Sequence, residues 1–133
     1  RHEQLIQNID YAPTFLEAAG VEAPQGIQGK SMISLYDSPN SQNWRKYVYY
    51  HYYEHLTEHG VPRHDGVRGE RYKLINFYSN DGWSLYDLET DPNELTDLSK
   101  APEYKDILIH MQGQLARLRT QYELPEYAES MKH

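Results

Sequence analysis

A chain of 133 residues with 20 acidic against 13 basic side chains, a net charge of −7 and no cysteine is bounded before any motif is read. The length suits one modest domain with a small core, and the acidic balance speaks against a nucleic-acid partner, since no uniformly basic surface can form against phosphates. The lack of cysteine excludes disulfides, thiolate metal ligands and a cysteine nucleophile, while leaving the compartment open. No run is long and apolar enough for a leader or a membrane span, so no membrane partner is expected, although a precursor cleaved before Arg1 could have carried a leader. Thirteen tyrosines stand out: their rings pack while the hydroxyl stays wet, as in sheet edges and sugar-binding clefts.

Residues 8–20, NIDYAPTFLEAAG, read as a short helix. Asp10 can cap it, Pro13 sits in the first turn where its missing N–H costs nothing, and Gly20 suits the left-handed position after the last turn. Tyr11, Phe15, Leu16 and Ala19 form one apolar stripe. A Gly- and Pro-containing loop follows, then the polar run DSPNSQN at 37–43, a boundary that divides a lead segment, 1–43, from a second part, 44–133.

Residues 44–55, WRKYVYYHYYEH, are aromatic and β-prone, and predict the first and longest strand. Alternation puts Tyr47, Tyr49, His51 and Tyr53 on one face and Val48, Tyr50 and Tyr52 on the other. The loop LTEHGVPRHD then carries His59, Arg63, His64 and Asp65. From Gly66 to Leu98 three alternating runs, 66–68, 72–78 and 83–88, are separated by Gly69-Glu70-Arg71 and Ser79-Asn80-Asp81-Gly82, which is the pattern of a meander. Asp91-Pro92-Asn93 closes it with turn chemistry. Beyond Leu98 the period becomes helical, with Tyr104, Ile107, Leu108, Met111, Leu115, Leu118 and Tyr122 three and four residues apart. Ser99 or Ala101 opens this helix, Arg117 and Arg119 lie at its C-terminal dipole end, and Leu124-Pro125 ends it. The expected fold is α+β: a four-stranded antiparallel sheet packed by one long C-terminal amphipathic helix, preceded by a lead helix and loop.

Several constellations carry chemistry on paper. HYYEH at 51–55 has the spacing of an inverted zinc-protease motif, but that chemistry needs a helix; on a strand His51 and His55 share a face about 13 Å apart, too far for one ion. The aromatic-strand reading is preferred. GIQGKS lacks both the glycine spacing and the preceding strand of a phosphate loop and reads as a turn. SNDG and RHDG hold too few carboxylates for a hard cation. Trp83, Tyr86 and Leu88 suit a core or a carbohydrate platform, core being preferred; Asp87 and Asp91 could be catalytic in principle, but carboxylates at a strand end followed by a proline turn are more often caps. The cluster His59, Arg63, His64, Asp65 and Arg68 offers directional donors beside flat rings, as an anionic or sugar ligand requires, and equally suits a solvated loop with Arg68 paired to a carboxylate.

NIDYAPTFLEAAGVEAPQGIQGKSM, RHDGVRGERYKLINFY and WSLYDLETDPNELTDL, in that order and followed by a helix, resemble the C-terminal portion of a bacterial sulfatase of the alkaline-phosphatase superfamily, of the arylsulfatase or N-acetylglucosamine-6-sulfatase type. The LYDLETDPNEL run joined to VRGERYKLI is the most specific part. Where such relatives often carry Thr after the GVR triplet and an acidic residue before LYDL, this chain has Gly69 and Ser84.

The resemblance implies a parent enzyme that hydrolyses sulfate esters with a formylglycine, made from the first residue of a C/S-x-P/A-x-R motif, and a calcium ion held by a large N-terminal domain. This sequence has no cysteine, and no serine in it begins such a motif. The resemblance therefore implies a fragment with no catalytic residue, metal ligand or cofactor of its own. Its expected partners are the parent catalytic domain, whose end would be the lead segment, and a sulfated carbohydrate. The loop before the GVR strand faces the substrate cleft in this subfamily, which makes His64, with His59 and Arg63 behind it, the expected substrate-binding residues. A periplasmic or secreted location follows from the family, and self-association of the fragment from its exposed stripe. The alternative is a free-standing module that binds an acidic glycan or a protein through its tyrosine-rich sheet.

Overall fold

The computed structural model describes residues 3–37, 43–53, 60–78 and 82–124. The chain divides into two compact units, Arg1–Val48 and Tyr49–His133. The first holds a 3₁₀ turn at Asn8–Asp10, helix α1 at Tyr11–Ala18 and a short helix α2 at Ile33–Asp37. Gly20, at φ +69°, takes the expected left-handed position after α1.

Asp10 organises this unit, but not as a cap of α1. Its fully buried carboxylate accepts two N–H groups from Arg45 at 2.6 and 2.7 Å, and the backbone N–H groups of Lys30 and Gln7, each at 2.8 Å. A side chain with four donors converging on it has no reach left for α1, whose end is instead tied by the Thr14 hydroxyl donating to the Asp10 carbonyl at 2.6 Å. Of GIQGKS only Gly26 lies in a turn, with Gln25, where Ile27 N–H points to the Pro24 carbonyl at 3.5 Å; the rest runs on without one. A Cβ at Gly29 would collide with the Ile9 carbonyl, so glycine is what lets Lys30 N–H reach Asp10.

Four strands follow: β1 at Val48–Tyr52, β2 at His64–Arg68, β3 at Tyr72–Phe77 and β4 at Gly82–Asp87. They form one sheet in sequence order, with β2/β3 and β3/β4 antiparallel. The meander and the α+β class are as the alternation predicts. The first strand is not the longest: β1 has 5 residues against 6 in β3 and in β4. The aromatic run was overextended because Trp44 and Arg45 belong to other contacts. The Trp44 indole N–H donates to the Leu5 carbonyl at 2.8 Å, and Arg45 turns to Asp10. Glu54 and His55 lie outside the described residues.

Register aligns Val67 with Leu74 and Leu74 with Leu85, and all three are fully buried. Each contributes about 1.5–3 kcal/mol through apolar burial. Helix α3, at Lys105–Gln121, begins from a 3₁₀ turn at Pro102–Tyr104 and packs on β2 and β3. It buries Met111, Leu115 and Leu118, whose spacing places them on one stripe. Glu123 at φ +51° closes the helix, letting Leu124 N–H reach the Arg119 carbonyl at 3.0 Å.

The segment after β4 covers that strand's edge. Leu98 N–H donates to the Leu85 carbonyl at 2.8 Å, and Leu85 N–H donates to Asp97 at 3.0 Å, so backbone groups that would template another strand are satisfied. Asp91 accepts Thr96 N–H at 2.8 Å, which is the turn role expected of it.

Candidate functional site on the sheet face opposite α3

Alternation gives the sheet two faces with different work. Asp65, Val67, Leu74, Asn76, Leu85 and Asp87 share the face that carries α3. Tyr50, Tyr52, His64, Gly66, Lys73, Ile75 and Phe77 share the other. On that second face His64 stands opposite Phe77 in the register, and its ring lies among aromatics: stacked on Tyr52 at 5.3 Å and 18°, edge-on to Tyr50 at 6.0 Å and 73°, and 5.3 Å from Phe77. His64 Nδ1 lies 2.9 Å from the Pro62 carbonyl oxygen. The imidazole is thus held at its faces and at one nitrogen.

The hydroxyl end of Tyr50 lies against Gly66, where a Cβ would run into it. Lys73 sits 5.8 Å over the Tyr50 ring and pairs with Glu94 at 2.6 Å; Glu94 itself takes a left-handed backbone at φ +55°. Burial, with the charges of Glu94 and Asp65, pushes the Tyr50 phenol far above its ordinary range, so its hydroxyl remains a protonated donor. That donor is turned to the Leu74 carbonyl at 3.5 Å, so the face offers rings, an imidazole nitrogen and a neutralised amine, a combination suited to a polar ring with hydroxyls rather than to a bare ion.

The helix-side face is occupied by structure-forming ion pairs. Arg119 donates to Asp65 from Nε at 2.7 Å and from Nη2 at 2.6 Å, and Asn76 and the Tyr49 hydroxyl donate to the same carboxylate at 3.1 and 3.3 Å. Arg71 holds Asp87 at 3.0 and 2.7 Å. His51 lies on this face, stacked on Tyr53 at 3.7 Å, with Nε2 3.3 Å from the Tyr78 hydroxyl; burial lowers its pKa. As part of β1 it cannot serve an HxxEH zinc helix, as its strand composition led us to expect.

Of the loop residues singled out from sequence, His64 opens β2, and Arg63 directs Nε to the Tyr53 carbonyl at 3.0 Å. The two neighbours thus engage different groups, and His59 lies outside the described residues. Arg68 is exposed and forms no ion pair among the described residues; Arg71 and Arg119 take the buried carboxylates instead. Lys73, Glu94 and the Tyr52–His64 stack were not anticipated as neighbours. Period-two alternation could have placed Tyr52 and Lys73 on the His64 face once the register was known, but nothing local announces Glu94.

The described residues do not fit a calcium site. Asp10, Asp65 and Asp87, the buried carboxylates, each spend both oxygens on a guanidinium, and no group of three or more metal-ligating side chains is assembled among the described residues.

The family model for the C-terminal region of N-sulphoglucosamine sulphohydrolase matches residues 1–121. The chain belongs to this family. An N-acetylglucosamine-6-O-sulfatase of Bacteroides thetaiotaomicron is 41% identical over 121 residues, which are 89% of this chain and 22% of that protein. A Delta 4,5-hexuronate-2-O-sulfatase of the same organism is 32% identical, over 75% of this chain and 21% of its own. A solved structure described as a complex with its substrate D-glucosamine-2-N,6-O-disulfate superposes with a TM-score of 0.86 at 40% identity, covering 91% of this chain and 25% of that one. The chain thus spans about a fifth of the length of the curated relatives it matches.

Proposed function

We propose that the chain acts as the C-terminal subdomain of a sulfuric ester hydrolase that removes sulfate from a glycan, completing the enzyme's fold and lining its sugar cleft without performing the bond-breaking step. The observation that carries this is the family match across residues 1–121 combined with coverage of only 22% of a relative named for N-acetylglucosamine-6-O-sulfate. The sequence supports the division of labour, since it has no cysteine and no serine that opens an S-x-P/A-x-R string. Formylglycine, as the nucleophile for the sulfur centre, and calcium would come from the remainder of the parent.

Within that reading His64 binds the sugar, with Arg63 and His59 contributing from the same loop. The stacked, half-buried ring of His64 loses little freedom on binding, which favours it as an orienting group. The lead segment, 1–43, would be the end of the parent catalytic domain, and a periplasmic or secreted location is proposed because external glycans are the family's usual targets.

The direct experiment is to assay the 133 residues on a chromogenic sulfate ester. No turnover above a heat-inactivated control is expected; turnover would overturn the proposal, because no residue here can become the required nucleophile.

A further inference from the structure

The hydrogen bond to Pro62 fixes which kind of partner His64 can take. A carbonyl oxygen only accepts, so at 2.9 Å the proton between them belongs to His64 Nδ1. In a neutral ring that leaves Nε2 with a lone pair and no proton. Nε2 makes no hydrogen bond among the described residues and is not a buried orphan, so it is open to a ligand. The Tyr52 stack and the Tyr50 edge contact resist the ring flip that would exchange the two nitrogens.

We infer that the neutral His64 imidazole selects a hydrogen-bond donor of the sugar, a ring hydroxyl or an amide N–H, and does not contact the sulfate. This deepens the proposed sugar-binding role of His64 and rests on it. Sulfate oxygens are acceptors, as is the Nε2 lone pair, and two acceptors facing each other leave both unsatisfied. The residue therefore reads the glycan's hydroxyl pattern, and sulfate recognition falls to other groups.

Long-range ¹H–¹⁵N spectra of the imidazoles in this chain test the first step without any ligand. At a pH where the His64 ring is neutral, Nδ1 should carry the proton and Nε2 should show the shift of a bare ring nitrogen; an Nε2–H tautomer overturns the inference and leaves the sulfatase reading untouched. Millimolar N-acetylglucosamine 6-sulfate should then move the Nε2 resonance, inorganic sulfate should not, and the O-methylated sugar should bind about tenfold more weakly. An equal response to sulfate alone also overturns the inference. If the tautomer is as stated but the sugar moves nothing, the sugar-binding role of His64 fails and takes the inference with it. His64→Asn, whose amide N–H can still donate to Pro62, gives up the ring contacts and some stability but should keep the sheet by circular dichroism; its sugar binding, read by calorimetry, should be lost, and retained binding would count against an Nε2 contact.

Discussion

Arg119 and Asp65, 54 residues apart in sequence, meet in a two-pronged ion pair at 2.7 and 2.6 Å that ties the end of α3 to β2. The partners are not equivalent: the Asp65 side chain is 1% exposed and that of Arg119 is 32% exposed. Removing Arg119 strands a buried carboxylate whose remaining donors, Asn76 and Tyr49 among them, are neutral, whereas removing Asp65 leaves a guanidinium that can turn to water. Arg119→Ala should therefore cost about 3 kcal/mol and Asp65→Ala less, with the double variant well short of the sum. Urea unfolding of the three variants checks the order. Equal costs that add would show that the pair does not act as a unit.

Acid should loosen the two units through the other buried pairs. Burial opposes ionisation of Asp10, but the bonds from Arg45, Lys30 and Gln7 outweigh it and hold its pKa below the ordinary 3.8. For Asp87 the bonds from Arg71 lead, and its pKa is likewise lowered from 3.8. A lowered folded-state pKa means that the unfolded chain binds more protons, so this stability is complete above about pH 5 and is lost as pH falls through the unfolded and then the folded values. The urea midpoint should be flat from pH 7 to about 5 with respect to these groups and drop below that. Asp87→Asn should shallow the drop; an unchanged acid limb would exclude Asp87 as a contributor.

Gly66 is required by what crosses it. A methyl group there would meet both the Tyr50 ring and hydroxyl and the Leu74 carbonyl. Gly66→Ala should destabilise by about 1–3 kcal/mol. Adding Tyr50→Ala should recover only part of this, because the Leu74 carbonyl is backbone and cannot move aside. Full recovery would place the whole clash on the tyrosine.

The meander was legible because alternation and turn residues are local properties: Val67, Leu74 and Leu85 fall in register once Gly69-Glu70-Arg71 sets the first turn. Helix α3 was legible for the same reason, through the spacing of Met111, Leu115 and Leu118. The ion pairs were not. Arg119 read as a partner for its own helix dipole and Asp10 as a cap, since a sequence lists charges without saying which carboxylate lies across the sheet. The run from Trp44 to Tyr47 illustrates a related failure, in which aromatic composition imitates a strand while Trp44 and Arg45 are drawn to Leu5 and Asp10. His64 was named from its loop neighbours, yet its stack on Tyr52 and its bond to Pro62 emerge only from the fold.

The stripe on α1 predicts how the isolated chain behaves in solution. Tyr11 and Phe15 stack at 6.3 Å and remain 50% and 68% exposed, with Ile6, Ile9 and Val21 also exposed in the same unit. Apolar side chains clustered on one short helix favour association, whereas the net charge of −7 opposes it. The two contributions respond oppositely to salt: screening weakens the repulsion over a Debye length of about 8–10 Å and leaves the apolar attraction in place. Sedimentation equilibrium should therefore show average mass rising with protein concentration and rising further with salt. Phe15→Glu removes an exposed ring and adds repulsion without touching a buried residue, so it should restore a monomer at unchanged urea midpoint. Monomer at all concentrations in the parent chain, or association that salt dissolves, would show that α1 is not the surface responsible.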